Sequence, residues 1–175
     1  TGPVPPTPLY SGKVRDIYAV GDDQLLMVTS DRISAFDVVM DEPIPDKGRV
    51  LTAMTAFWSE QLAAVAPSHL LSTEIADVPE DLRQPGWEGR AMLCHKAEML
   101  PIECIVRGYL TGSAWKEYRT AGTMHGTELP PGLLESAQLP EPGVTPSTKA
   151  SLGDHDENIS FVAAVDLVGT EVAEA

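Results

Sequence analysis

Residues 99–113, Met99-Leu100-Pro101-Ile102-Glu103-Cys104-Ile105-Val106-Arg107-Gly108-Tyr109-Leu110-Thr111-Gly112-Ser113, constrain the fold most, because they set opposite charges inside an apolar run of β-formers. A period of two puts Cys104, Val106 and Leu110 on one face of a strand and Glu103, Ile105 and Arg107 on the other. Taking a carboxylate and a guanidinium out of water is costly, so a strand that carries both pairs them or aims them at a ligand. Thr111-Gly112-Ser113 ends the strand. Ser113 is predicted to N-cap a helix through Ala114-Trp115-Lys116-Glu117-Tyr118 that stops near Gly122. A strand running into a helix N-terminus, with Arg107 and the Ser113 hydroxyl beside it, is suited to a phosphate or carboxylate.

Four more stretches carry chemistry-bearing residues. Ser11-Gly12-Lys13-Val14-Arg15-Asp16 lies in the first of two predicted antiparallel strands, 10–18 and 24–30, joined by a turn at Gly21-Asp22-Asp23, and Gly12 lets backbone approach a ligand while Lys13 and Arg15 suit polyphosphate. It is neither a complete Walker motif nor a dinucleotide-binding fingerprint, and a solvated hairpin with two surface cations is the commoner meaning of such a stretch. Ser30-Asp31-Arg32-Ile33-Ser34-Ala35-Phe36-Asp37 follows a strand, where loops carry function, although its Asp and Ser types also serve turns. Pro45-Asp46-Lys47-Gly48 reads as a loop. Asp154-His155-Asp156-Glu157-Asn158-Ile159-Ser160 crowds hard oxygen donors that suit Mg²⁺. Ile159 stands where an EF-hand needs glycine, and no second His or Cys sits at zinc spacing from His155. The alternative is an acidic helix N-terminus capped by Asn158 or Ser160.

Together these five stretches resemble the SAICAR synthetase family over nearly the whole chain. The resemblance implies an α+β, two-lobed fold: an N-terminal antiparallel β lobe with a helix over 8–98, akin to the small lobe of kinases, and the start of a larger α+β lobe over 99–175. It implies a ligase of purine biosynthesis that uses ATP and Mg²⁺ to join L-aspartate to carboxyaminoimidazole ribonucleotide through an acyl phosphate. On that basis Lys13, Glu103, Arg107 and Asp156 are catalytic candidates. Gly12, Lys13, Arg15, Lys96, Met99 and Glu157 are nucleotide-site candidates, with the lobe hinge near 98–100. Asp31, Arg32, Ser34, Asp37, Arg107 and Ser113 are substrate candidates, and Glu103 and Asp156 are metal ligands. A related small-molecule kinase and a non-catalytic ATP-binding fragment are the alternatives, and homo-oligomerisation is left open.

A second signature that the resemblance leads one to expect, an apolar pair followed by Asp-x-Lys-apolar-Glu-Phe-Gly, does not occur. Its acidic residues would complete the metal and ATP site, and the chain stops at Ala175 inside a predicted helix. The expectation is a chain lacking its C-terminal part, with the competence of these 175 residues alone left open.

Charge and patterning narrow the rest. A formal net charge of −14 argues against nucleic acid, whose phosphates demand an excess of Lys and Arg. No apolar run reaches the roughly 20 residues of a membrane span, so a cytoplasmic protein without a membrane partner is expected. Cys94 and Cys104 read as reduced core residues. Proline-rich residues 1–8 read as a flexible or processed terminus. Helical spacing over 50–66 predicts a core-facing stripe of Leu51, Met54, Phe57, Trp58 and Leu62, and residues 129–146 look too broken for regular packing and too apolar for a free linker, so they are expected to lie extended over the second lobe.

Overall fold

The structure, a computed structural model, describes residues 6–35, 38–149 and 156–174. The chain separates into two compact units, Thr1–Glu98 and Met99–Ala175. Asp37, Asp154 and His155 lie outside the described residues.

The first unit is organised on a five-stranded antiparallel sheet. Its strands are β1 (Tyr10–Ser11), β2 (Arg15–Val20), β3 (Gln24–Thr29), β6 (Leu70–Ser72) and β7 (Ala91–His95), in the order β1-β2-β3-β7-β6. Alternation decides its faces. Tyr18 pairs with Leu26, which pairs with Leu93, and Val28 pairs with Ala91, so one face is continuously apolar. Val78 at 2% exposure, with Ile75, Leu82 and Trp87, covers that face. The connection after residue 68 thus supplies part of the core. Outside the sheet, β4 (Ser34–Ala35) pairs with β5 (Val38–Val39).

Helix α1 (Lys47–Gln61) buries only Gly48 and Thr52. The predicted core stripe is not a core: Leu51, Met54, Phe57, Trp58 and Leu62 are all exposed. Most of it lines an open groove of about 610 Å³, with Arg15, Thr29 and Met92 among the groove's other residues. Helical period fixes which residues share a face, but not that a neighbour closes over it.

The second unit is built on β8 (Ile102–Tyr109) paired antiparallel with β11 (Gln138–Thr148). Part of the segment expected to lie extended is therefore a long, regularly paired strand. Pro140 and Pro142 fall in the register shift between Gln138 and Gly143, where the ladder is interrupted and no N–H is needed. Between these strands lie α2 (Gly112–Ala121), β9 (Thr123–Met124) and β10 (Thr127–Glu128), and Leu110, Ala114, Met124 and Leu139 form a small core. Then come α3 (Phe161–Val168) and α4 (Thr170–Ala173). Gly122, left-handed at φ 71°, ends α2 as its sequence position predicts.

Two expectations fail locally. Thr111, not Ser113, precedes α2: the helix begins two residues early, with a turn at Gly112 of φ 61°, and the Ser113 hydroxyl meets Arg107 instead. Cys94 is buried as expected, whereas Cys104 is exposed, since β8 pairs only with β11 among the described residues. Among the described residues no helix is long and apolar enough to cross a membrane.

Candidate functional site

In the first unit the predicted phosphate loop is a tight turn between β1 and β2. The Gly12 N–H donates to the Arg15 carbonyl at 2.8 Å. A Cβ at Gly12 would lie 3.2 Å from that oxygen and from the Tyr10 ring, so the turn has little room for a side chain. Arg15 opens β2 opposite Thr29 and lines the groove beside α1.

Asp31 and Arg32, adjacent in sequence, serve different partners. The Asp31 carboxylate takes a two-armed ion pair from Arg90, with Nη2 to Oδ2 at 2.8 Å, and accepts the N–H groups of Asp46 at 3.1 Å and Gly48 at 2.9 Å. It thereby caps α1 from outside the helix, where Asp46, at φ 62°, makes no side-chain cap of its own. The Arg90 hydrogen bonds, followed by the Gly48 and Asp46 amides, outweigh partial burial and hold the Asp31 carboxyl well below the usual range. Arg32 reaches the opposite way, donating from Nε to the Lys13 carbonyl and from Nη2 to the Gly12 carbonyl, both at 3.1 Å, and pairing with Asp16 at 3.2 Å. Ser34 opens β4 opposite Val39, and Lys96 follows β7 with its N–H on the Asp23 carbonyl.

In the second unit the pairing of β8 with β11 builds a polar surface. Glu103 lies opposite Ser147, Ile105 opposite Thr145 and Arg107 opposite Gly143, so Glu103 and Arg107 share a face, as period-two alternation requires. Lys149 Nζ meets Glu103 Oε1 at 2.7 Å. Arg107 donates from Nε to the Thr145 hydroxyl at 3.0 Å and from Nη2 to the Ser113 hydroxyl at 3.4 Å. Thr145, 1% exposed, passes its own proton to the Ile105 carbonyl at 2.9 Å, so the guanidinium leans on a fixed, buried partner. Met99, the first residue of this unit, is exposed.

Residues 157–159 join the free edge of β11. Thr148 N–H donates to the Glu157 carbonyl at 2.9 Å and Ile159 N–H to the Pro146 carbonyl at 3.1 Å, while Asn158 bridges to Ser147. Asn158 thus extends the row that runs from Glu103 through Ser147. Ser160 caps α3 by accepting the Ala163 N–H at 3.2 Å. From α2, Glu117 accepts Gly126 N–H at 3.0 Å, the Thr123 hydroxyl at 2.8 Å and Asn158 Nδ2 at 3.4 Å. Partial burial pushes the Glu117 carboxyl up, but these bonds, with one from the His125 amide, bring it below the ordinary glutamate value. Asp156 and Glu157 are exposed on this segment.

Sequence reasoning assigned no role to Arg90, Lys149, Thr145 or Glu117. Lys149 stands in the stretch just before the acidic cluster, but only the strand register brings it to Glu103. Glu103 and Asp156 carry carboxylate oxygens of the hard type that Mg²⁺ prefers, and Mg²⁺ takes only one or two from protein. Among the described residues no three His, Cys, Asp or Glu gather around one point, so the donor set fits a cation arriving with phosphate oxygens rather than one held by protein alone.

The SAICAR synthetase family model matches residues 8–175. The chain is 61% identical over 164 residues to the phosphoribosylaminoimidazole-succinocarboxamide synthase of Syntrophotalea carbinolica, covering 93% of this chain and 55% of that protein. It is 56% identical over 165 residues to the protein of the same name from Geobacter sulfurreducens, with the same coverage. Among solved structures, the SAICAR synthase of Saccharomyces cerevisiae in complex with SAICAR superposes with a TM-score of 0.86 at 45% identity, over 96% of this chain and 57% of that one. The chain spans about half the length of the curated relatives it matches.

Proposed function

The chain belongs to the SAICAR synthetase family, and on that premise we propose that it carries the phosphate-loop and substrate-anion parts of an ATP-dependent ligase acting in the cytoplasm. The reaction joins L-aspartate to carboxyaminoimidazole ribonucleotide. A carboxylate is a poor electrophile, so ATP first converts it to an acyl phosphate, and the aspartate amine then displaces phosphate to leave an amide. Phosphoryl transfer of this kind asks for positioning and charge neutralisation more than covalent help.

The observation that carries this reading is the polar face of β8 and β11, where Arg107 is held by Thr145 and Ser113 while Glu103 stands beside Lys149. Arg107 and Ser113 would grip an anionic group of the imidazole nucleotide, the guanidinium through parallel N–H donors and the hydroxyl as a third donor. Lys13 and Arg15 would neutralise the polyphosphate. Bound Mg²⁺ neutralises charge on the transferring phosphoryl oxygens. Glu103 and Asp156 would hold it and Glu157 would lie against the nucleotide, with Lys149 balancing the Glu103 charge until the cation takes its place. Twelve Lys and Arg in a chain of net charge −14 make these local clusters the means by which an anion is admitted at all.

The test is ADP release from ATP, Mg²⁺ and the carboxyaminoimidazole nucleotide, with and without L-aspartate, and again after chelation of the metal. The ligase reading expects turnover only with all components present. ADP release that is indifferent to aspartate sinks it.

A further inference from the structure

We propose that Arg32 is a positioning residue that turns the carbonyls of the phosphate loop away from the nucleotide, so that the loop meets polyphosphate with N–H groups and cations. The inference rests on reading residues 12–15 as the loop that meets phosphate. Three consecutive carbonyls of this turn are taken by one short stretch after β3. Arg32 holds those of Gly12 and Lys13, each at 3.1 Å, and Ser30 holds that of Val14 through its N–H at 3.0 Å and its hydroxyl at 2.8 Å.

A trans peptide points its carbonyl and the following N–H in opposite directions. Drawing the Gly12 and Lys13 carbonyls toward Arg32 therefore turns the N–H groups of Lys13 and Val14 to the other side of the loop. A polyphosphate arriving on that side meets donors; with the carbonyls released, the loop can rotate and meet the same phosphate with oxygen lone pairs. Arg32 does a second service by pairing with Asp16, whose carboxylate also accepts the Ser11 hydroxyl and would otherwise repel an anion. Nε and Nη2 of Arg32 are committed to these partners, which sets it apart from Arg107, held among the described residues by two hydroxyls.

The experiment compares the unsubstituted chain with Arg32→Ala, Arg32→Lys and Asp16→Asn, by calorimetric titration of MgATP and by KM for each substrate. Arg32→Ala and Arg32→Lys are expected to weaken MgATP binding by about tenfold or more, since a lysine ammonium cannot span two carbonyls, while the KM values for the imidazole nucleotide and L-aspartate stay within about twofold. Asp16→Asn loosens the guanidinium without removing it and is expected to shift the same constant less. Added ethylguanidinium restores MgATP binding to Arg32→Ala, a rescue that a misfolded variant would not give. Unchanged MgATP binding in both Arg32 variants overturns the proposal, as does a rise confined to the imidazole-nucleotide KM, which would make Arg32 a substrate contact. If the unsubstituted chain binds no MgATP, the phosphate-loop reading and this proposal fall together. If it binds MgATP without aspartate-dependent turnover, the ligase reading alone falls and the binding constants still decide the role of Arg32.

Discussion

Asp31 and Arg90, 59 positions apart, form a two-armed ion pair at the N-terminus of α1, and the same carboxylate accepts two amides of the helix's first turn. One side chain thereby fastens the end of β3, the start of β7 and the entry to α1. The helix, which closes little else of the first unit, depends on this point.

Replacing Asp31 by Asn keeps the shape but removes the charge, and is expected to lower the melting temperature by several degrees at neutral pH. The sign of the pH dependence follows from the lowered folded-state carboxyl. The contribution is fully present above the unfolded value of about 3.9 and is lost as pH falls through the folded one. Denaturant titrations of both proteins between pH 7 and acid should therefore show the gap closing below about pH 4. A gap that stays constant over that window would rule the ion pair out as its source.

Gly48 faces the Thr29 carbonyl and the Arg90 guanidinium so closely that a methyl group would collide with both. Backbone and an ion-paired arginine cannot give way cheaply. Gly48→Ala is expected to cost about 1–3 kcal/mol, read as a drop in the urea midpoint without a change in slope.

Glu117 binds the His125-Gly126 turn and the Asn158 side chain at once, and His125 sits there at φ 49°. Glu117→Gln replaces charge-assisted bonds with neutral ones and leaves one amide donor facing donors. A loss of about 1 kcal/mol is expected, modest because the group is half-exposed. Faster amide exchange over residues 123–128 in the variant would locate that loss at the hairpin, whereas unchanged exchange there would count against the role assigned to Glu117.

If Arg107 grips substrate, Arg107→Lys should fare nearly as badly as Arg107→Ala, because an ammonium cannot reproduce the fork that meets Thr145, Ser113 and an anion together. A fall of about 100-fold or more in kcat/KM for the imidazole nucleotide is expected, with MgATP binding preserved. Equal losses for both substrates would point to a general disturbance of β8 instead.

The two thiols of this chain should separate cleanly under a disulfide reagent. Cys104 is exposed, whereas burial raises the Cys94 thiol and denies the reagent access. One thiol is expected to react in the folded protein and two after denaturation. Two fast-reacting thiols in the folded state would contradict the burial of Cys94.

Much of this molecule was legible along the chain because it depends on neighbours a few residues apart. Alternation alone put Glu103 and Arg107 on one face of β8. Gly122 had to end α2, and Ser160 was one of two residues able to cap α3. The family signature at residues 99–113 identified the chemistry to look for. Partners distant in sequence were not legible in this way. Lys149 reaches Glu103 across 46 positions through the register of β8 with β11, in which Pro140 and Pro142 fall at a bulge that asks for no N–H. Asp31 and Arg32 looked like one cluster, yet the fold sends the first to α1 and the second to the turn between β1 and β2. The stripe of α1 was correctly grouped but its burial was not determined, since periodicity specifies a face and only a packed neighbour makes that face a core. The sequence by itself determined most of the elements near its signatures and the residue types that can do the chemistry. The tertiary structure decided which charge answers which, because ion pairs and caps form between surfaces that only folding brings together.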